Sequence, residues 1–208
     1  MHDHDDSNDL LIVPDTLGSI NKPEYLIVHH TGGTDADPLA DTSEHTFEIV
    51  NEYHRERWNG STKSSKGFFI GYHYFIEKTG KVIQGRADTD LGAHTIGYNS
   101  KSLGICLAGN FDATFPTKEQ EDALKILLTR KRVEYQIPDE RISPHRMYAK
   151  KTCYGRHLLD SYAKDLLPIA NLYPPPAVIP QPEPIQPIVP ESNWFEAFIN
   201  KIKKLFNI

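Results

Sequence analysis

The feature that most constrains the fold of this chain is a short stretch, Tyr25–Thr31, in which consecutive apolar residues lead directly into two histidines. An apolar run of this kind, rich in β-branched residues and placed after Pro23, predicts a buried strand of a sheet that is covered on both faces. Because neighbouring strand residues point to opposite faces, His29 and His30 cannot both bind one metal ion. One of them is predicted to be a functional ligand and the other a packed neighbour. The alternative is a pair of ordinary core histidines.

Strand-like and helix-like patterns alternate along the rest of the chain as far as about residue 168. A first helix is predicted from a cap at Thr42 or Ser43 to about Trp58, followed by a hairpin over 68–86 in which Tyr72, Tyr74 and Ile76 share one face. A strand is predicted over 102–109. A Thr117–Gln120 capping box opens a second helix that ends near Tyr135, and an amphipathic helix is predicted over 155–167. This order predicts an α/β domain, with a mixed central β-sheet flanked by helices.

Composition divides the chain into four segments. Residues 1–20 are predicted to be an N-terminal tail and 21–172 the folded domain. Eight of the seventeen residues from Pro174 to Pro190 are proline, so 173–190 is predicted to be an extended Pro-rich linker. Residues 191–208 are predicted to form an amphipathic helix, which needs a surface to cover its apolar face.

Charge and hydropathy narrow the choice of partners. The net charge of −5 gives no general basic field, so nucleic acid is not an expected partner. The N-terminus is acidic where a secretory signal would be basic, which predicts synthesis in the cytoplasm. The basic polar face of the C-terminal helix, 192–207, suggests contact with a membrane surface or an outer envelope. Docking on the folded domain or self-association is the alternative for this helix, and the protein is otherwise expected to be a monomer.

The two cysteines have different surroundings. Cys106 lies in an apolar run and is predicted to pack as a small hydrophobe, whereas Cys153 lies among polar residues eight positions after His145. A disulfide between the two cysteines is the less favoured reading. With one histidine of the first strand, His145 and Cys153 make a set of N/N/S zinc ligands that leaves a fourth position for water, as catalytic zinc sites do. An ordinary surface loop is the alternative reading of this spacing.

Several motifs taken together resemble the zinc-dependent N-acetylmuramoyl-L-alanine amidases, the family shared by phage amidase endolysins and the peptidoglycan recognition proteins. The resemblance covers about residues 22–168, with the motifs in order and at fitting intervals. These motifs are Val28–Thr31, Gly71–Tyr74, Gly92–Thr95, Asn99, Ser102–Phe111, Pro144–Arg146 and Lys151–Cys153.

The resemblance implies a metal site and a reaction. It implies that His29, the first histidine of the pair, binds Zn²⁺ together with His145 and Cys153, and that 21–172 is a zinc amidase catalytic domain. The substrate it implies is peptidoglycan, cleaved at the amide that joins N-acetylmuramic acid to L-alanine.

Further site residues also follow from the resemblance. Tyr72 matches the family's active-site tyrosine, Lys151 matches a lysine of the phage enzymes, and His94 falls in a loop that lines the substrate groove. The chain departs from the family's usual pattern at Met147, where Asp often follows the His-Arg pair, and at Tyr154, where Pro often follows the ligand cysteine. These departures concern hydrogen bonds around the ligands more than the ligands themselves.

The expected biological role is that of a phage endolysin for host cell lysis, made in the host cytoplasm and acting at the bacterial cell wall after its release. One alternative is a non-lytic module that binds peptidoglycan without cutting it. Another keeps the enzyme but makes it a bacterial effector or a wall-recycling amidase.

Overall fold

The computed structural model describes residues 20–167, which form a five-stranded sheet with helices on both faces. The strands stand in the order β3-β2-β4-β1-β5, and the predicted α/β class with a mixed central sheet is confirmed. Their bounds are β1 Tyr25–His30, β2 Tyr74–Ile76, β3 Val82–Gln84, β4 Ser102–Leu107 and β5 Ile142–Pro144. The helices are α1 Phe47–Arg57, α2 Lys118–Glu134 and a single turn, α3, Tyr162–Asp165.

Strand β1 lies inside the sheet, with β4 on one side and β5 on the other, both parallel to it. Only Tyr25 of its six residues is more than slightly exposed, as expected for a strand that is covered on both faces. Strand β2 is parallel to β4, and β3 pairs antiparallel with β2 at the edge. The carboxyl ends of β1, β4 and β5 therefore meet at one edge of the sheet, the usual place for a site in α/β folds.

Alternate residues of each strand pack into two separate cores. The larger core lies under α2 and takes Leu26 and Val28 from β1. The smaller core lies under α1 and takes Phe75 from β2 and Cys106 from β4. On this second side β4 carries only small residues, Ser102, Gly104 and Cys106, and all three are buried.

The long helix α2 begins as predicted, whereas α1 begins later. Thr117 and Gln120 exchange both bonds of the capping box at the start of α2. The helix α1 starts at Phe47 with Thr46 as its cap, so the predicted cap at Thr42 or Ser43 is wrong. The Thr42 hydroxyl instead donates to Gly32 O at 2.6 Å and is buried, fastening the loop that follows β1.

The hairpin of β2 and β3 is confirmed, but Tyr72 does not share a face with Tyr74 and Ile76. Tyr74 and Ile76 enter the larger core, while Tyr72 lies in a bend before β2 and packs against the smaller core. Strand alternation does not apply to Tyr72 because β2 begins two residues later. The bend turns its side chain towards the carboxyl end of β1.

The predicted helix over 155–167 is reduced to the single turn α3. Side chains from outside the helix take the carbonyl groups that a helix would have used. Arg146 donates to Gly155 O and Leu158 O, and the buried Tyr154 hydroxyl donates to Leu159 O at 3.0 Å. The segment 155–161 is therefore irregular.

Residues 1–19 and 168–208 lie outside the described part of the chain. The predicted N-terminal tail, the Pro-rich linker over 173–190 and the amphipathic helix over 191–208 fall almost wholly there and stay predictions. Among residues 20–167, no helix combines the length and the apolar character that a membrane crossing requires.

Candidate active site

Three predicted site residues, His29, His145 and Cys153, converge at the carboxyl end of β1. One potential ligand atom of each residue lies within 4.8 Å of the others. The Sγ atom of Cys153 is 3.7 Å from His29 Nδ1, and the two imidazole centroids are 4.5 Å apart. Ligand atoms of a tetrahedral zinc site stand about 3.5 Å apart, given metal–ligand bonds of about 2.0 to 2.3 Å. The arrangement therefore suits a single metal ion.

Neighbouring strands and a tight turn bring these side chains together. His29 is the penultimate residue of β1, and His145 follows directly after β5, which pairs with β1. A 3-10 turn over His145–Met147 then leads into the loop that carries Cys153. The Cys153 Sγ atom accepts from His30 N at 3.5 Å, so the loop is seated on the end of β1 itself.

The cysteine loop is held by an arginine next to a predicted ligand. Arg146 N donates to Cys153 O at 2.6 Å. The guanidinium donates to Gly155 O at 2.6 Å, to Leu158 O at 2.7 Å and to the Asp160 carboxylate at 2.6 Å. The segment after Cys153 forms no strand pairing and no helix that could satisfy its carbonyl groups. The Arg146 side chain supplies several of the missing hydrogen bonds.

An aspartate holds the same loop from the opposite side. Asp112 accepts from Thr152 Oγ1 and from Arg156 N, both at 2.6 Å. Its two oxygens therefore brace the chain on either side of Cys153. The Asp112 side chain is only 12% exposed, and hydrogen bonds to a poorly solvated carboxylate are among the stronger ones.

Burial determines the charge of the three clustered groups. Desolvation lowers the pKa of His29 well below its ordinary value and lowers the pKa of His145 to about 4, so both imidazoles are neutral and keep a lone pair. Burial raises the pKa of the Cys153 thiol to about 12, so its thiolate requires a positive charge beside it. Two neutral imidazoles and a thiolate are donors that Zn²⁺ prefers, and the donor set fits that ion.

Tyr72 lies beside the cluster, with its ring centroid 5.0 Å from that of His29. Its side chain also packs against the smaller core, which contains Cys106. Burial raises the pKa of Tyr72 well above its ordinary value, so the phenol keeps its proton and remains a hydrogen-bond donor. Cys106 is fully buried in the smaller core, as predicted for a packed hydrophobe, and both cysteines are free thiols.

Lys151 lies two residues before Cys153 and is exposed. Burial is the main cause of the low pKa of His145, and the positive charge of Lys151 lowers that pKa further. The same charge opposes the rise in the pKa of the Cys153 thiol. The positive charge of Lys151 therefore acts on two of the three clustered groups.

The second histidine of the pair faces the other way, as strand alternation predicts. His30 Nδ1 accepts from Phe111 N at 3.0 Å, and its ring packs against the Phe111 ring. His94 was expected to line the substrate groove, and its imidazole lies in direct contact with His29, with 3.0 Å between His94 Nδ1 and His29 Nε2.

The sequence does not indicate the contacts that some residues make around the cluster. Arg146 belongs to the Pro144–Arg146 motif, but the motif does not show that its side chain holds the loop after Cys153. Asp112 and Thr152 are distant in sequence and no local pattern links them, so their hydrogen bond is visible only in the folded structure.

Residues 19–156 match the sequence model of a protein family described as N-acetylmuramoyl-L-alanine amidase. The chain is similar to peptidoglycan-recognition protein SD of Drosophila simulans, with 37% identity over 106 residues, which are 51% of this chain and 52% of that protein. It is also similar to the endolysin of Klebsiella phage KP32, with 37% identity over 89 residues, which are 40% of this chain and 58% of the relative. The chain thus spans little more than half the length of these relatives.

A solved structure shows the same fold. It is that of the N-acetylmuramoyl-L-alanine amidase LysC from Clostridium intestinale URNW, which superposes with a TM-score of 0.56 at 25% sequence identity. The similarity covers 70% of this chain and 85% of that one.

Proposed function

Because the chain belongs to the N-acetylmuramoyl-L-alanine amidase family, we propose that it hydrolyses the amide between N-acetylmuramic acid and L-alanine in peptidoglycan. The observation that carries this proposal is the cluster of His29, His145 and Cys153, whose atoms are spaced for one metal ion. We propose Zn²⁺ as that ion, with Tyr72 and Lys151 as the catalytic residues beside it. The similarity to a phage endolysin and to a solved amidase supports this reading.

A zinc ion held by these three residues would supply a Lewis acid and a water molecule of lowered pKa. Tyr72 keeps its proton and donates a hydrogen bond to the amide oxygen as that oxygen gains negative charge. The ammonium group of Lys151 stabilises the same charge electrostatically. As the oxygen of water bonds to the carbonyl carbon, the C–N bond breaks. The lactyl group is released as a carboxylate, and the nitrogen takes a proton to become the free amino group of L-alanine.

Digestion of purified peptidoglycan, followed by mass spectrometry of the soluble products, tests the bond and the metal together. We expect peptides that begin with a free L-alanine, and sugar strands that remain unbroken. Treatment of the full chain with a chelator should remove this activity, and addition of one equivalent of Zn²⁺ should restore it, because the thiolate and imidazoles only donate electron pairs and the metal ion is the Lewis acid of the site.

Two other results would contradict the proposal. New reducing sugar ends would show that a glycosidic bond is cut instead. Binding of peptidoglycan by zinc-loaded protein without release of any peptide would favour the non-lytic binding module. The similarity to a peptidoglycan-recognition protein makes this second result the more informative one to look for.

Tyr72→Phe is expected to lower the rate of peptide release by about 100-fold or more while the protein retains its zinc. Removal of one donor to a developing oxyanion typically costs about 10²- to 10³-fold in rate. Tyr53→Phe is the matched control, because Tyr53 is a half-exposed tyrosine on α1 and should lose no activity. Unchanged activity of Tyr72→Phe would remove the hydroxyl from the reaction.

We propose further that the protein acts as a phage endolysin, made in the host cytoplasm and reaching the cell wall after release. The similarity to the endolysin of a Klebsiella phage supports this role over that of an effector or a wall-recycling amidase. Expression in the cytoplasm should leave cells intact until a separate agent permeabilises the inner membrane, when they should lyse. Cells that stay intact after permeabilisation would argue against the role.

A further inference from the structure

The imidazole of His94 occupies a slot that exists only because glycines line it. A Cβ atom at Gly104 would stand 2.5 Å from the His94 ring, and a Cβ at Gly92 would also stand 2.5 Å from it. Both distances are too short for any real contact. The face of β4 that carries only small residues thus provides the space in which His94 lies against the sheet.

The loop that carries His94 is fixed by a side chain of its own. Asn99 Oδ1 accepts from His94 N and from Thr95 N, each at 2.9 Å. These bonds hold the backbone at His94, from which the imidazole reaches into the slot.

The polar atoms of His94 connect a predicted metal ligand to the backbone. His94 Nδ1 is 3.0 Å from His29 Nε2, and His94 Nε2 is 3.4 Å from Ser102 Oγ. Ser102 Oγ in turn donates to Tyr98 O at 2.7 Å. The chain of contacts runs from imidazole to imidazole to hydroxyl to carbonyl, and it contains no carboxylate.

The direction of these hydrogen bonds follows from the first atom. His29 Nδ1 faces Cys153 Sγ, so binding of a metal there requires its lone pair and places the proton of His29 on Nε2. His94 Nδ1 lies 3.0 Å from His29 Nε2 and also 3.0 Å from Thr95 Oγ1. A proton on His94 Nδ1 would face the Nε2 proton of His29, so His94 Nδ1 is the acceptor and the Thr95 hydroxyl can donate to the same nitrogen. His94 then carries its own proton on Nε2, which points at Ser102 Oγ, and the Ser102 hydroxyl proton is used by Tyr98 O.

We propose that His94 is a positioning residue for His29: its Nδ1 accepts the Nε2 proton of His29 and so fixes the tautomer and ring orientation that expose His29 Nδ1 to the metal. The inference rests on the proposed function, because it concerns a ligand of the proposed zinc site. It gives His94 a role different from contact with substrate.

The neutral acceptor has a chemical consequence for the site. Metal-bound histidines commonly donate to a carboxylate or to a backbone carbonyl, and a carboxylate makes the ligand more basic. An imidazole acceptor adds no negative charge. The site with Zn²⁺ and one thiolate would keep a net charge of +1, which favours the lowering of the pKa of a bound water.

Two substitutions at His94 separate positioning from simple packing. His94→Leu fills the slot but accepts no hydrogen bond, and His94→Asn places an amide oxygen near the position of Nδ1. In the full chain we expect His94→Leu to weaken zinc affinity by about 10- to 100-fold, measured by competition with a chromogenic chelator, and His94→Asn to recover most of that loss. Equal zinc affinities of wild type, His94→Leu and His94→Asn would overturn the inference.

His73→Asn is the matched control. His73 is as buried as the site histidines and lies on the same side of the sheet, with its ring centroid 5.7 Å from that of His94. It bonds to Gly104 N through Nδ1 and lies 3.0 Å from Asp90 O, with no contact to His29. This variant should lose stability without any change in the zinc affinity of the folded protein.

Nitrogen NMR of the histidine rings gives a readout that does not depend on activity. We expect protonated Nε2 and unprotonated Nδ1 for both His29 and His94, with and without zinc. A protonated His94 Nδ1 would overturn the inference. If wild type and Cys153→Ala bind zinc equally weakly, the proposed function fails instead, and the spectrum of the metal-free protein still decides the direction of the hydrogen bond.

Discussion

Cys153→Ala is expected to abolish the release of peptides from peptidoglycan and to reduce zinc binding below stoichiometric. Loss of an outer partner of a metal ligand typically costs about 10- to 100-fold in affinity or activity, and loss of a ligand should exceed that range. Cys153 is the only group of the cluster that would bring a negative charge to the metal. Without it, two neutral imidazoles remain, and water would occupy the vacated position.

The measurement combines metal analysis of the purified full chain with mass spectrometry of digested peptidoglycan. Cys106→Ala is the matched control for metal content, because it removes the other free thiol and should retain one equivalent of zinc. Circular dichroism of both variants shows whether they remain folded. A folded Cys153→Ala variant that releases peptide at the wild-type rate would eliminate zinc catalysis at this site.

Arg146→Ala is expected to lower the free energy of unfolding by about 2–4 kcal/mol, because several charge-assisted hydrogen bonds are lost together. The Arg146 side chain is only 20% exposed, and its removal leaves Gly155 O and Leu158 O without their donor. The Asp160 carboxylate also loses its partner. Because these bonds hold the loop that carries Cys153, the same variant should bind zinc more weakly.

Urea denaturation monitored by fluorescence measures the change in stability, and chelator competition measures the change in zinc affinity. Arg156→Ala is the control in the same segment. Its side chain is 55% exposed and stands 3.5 Å from Asp112, so its loss should cost no more than about 0.5 kcal/mol. Equal stabilities of the two variants would show that the loop does not depend on Arg146.

The parts of the fold that were predictable from sequence are those with local signals. The strand β1 has a run of apolar residues, and α2 has a capping box whose two bonds both form. Strand alternation also correctly separates His29 from His30, since each side chain contacts a different side of the sheet. The meeting of His29 with His145 and Cys153 was predicted through family resemblance, because their spacing alone is compatible with an unrelated loop.

The parts that were not predictable depend on contacts between distant segments. The pattern over 155–167 is amphipathic, but Arg146 and Tyr154 compete for its carbonyl groups and prevent the helix. Tyr72 leaves the expected face because β2 is short and a bend precedes it. The contact of His94 with His29 requires the space that Gly104 leaves on β4 because it has no side chain. No periodicity in the sequence indicates which residue fills that space.

The place of β1 between two parallel neighbours also has an entropic consequence. The backbone of His29 pairs with β4, and a shift of that residue would break ladder hydrogen bonds that form when the domain folds. The conformational entropy of fixing this ligand is therefore lost on folding and not when the metal binds. The segment around Cys153 belongs to no strand or helix, and hydrogen bonds from Arg146 and to Asp112 take the place of a ladder there.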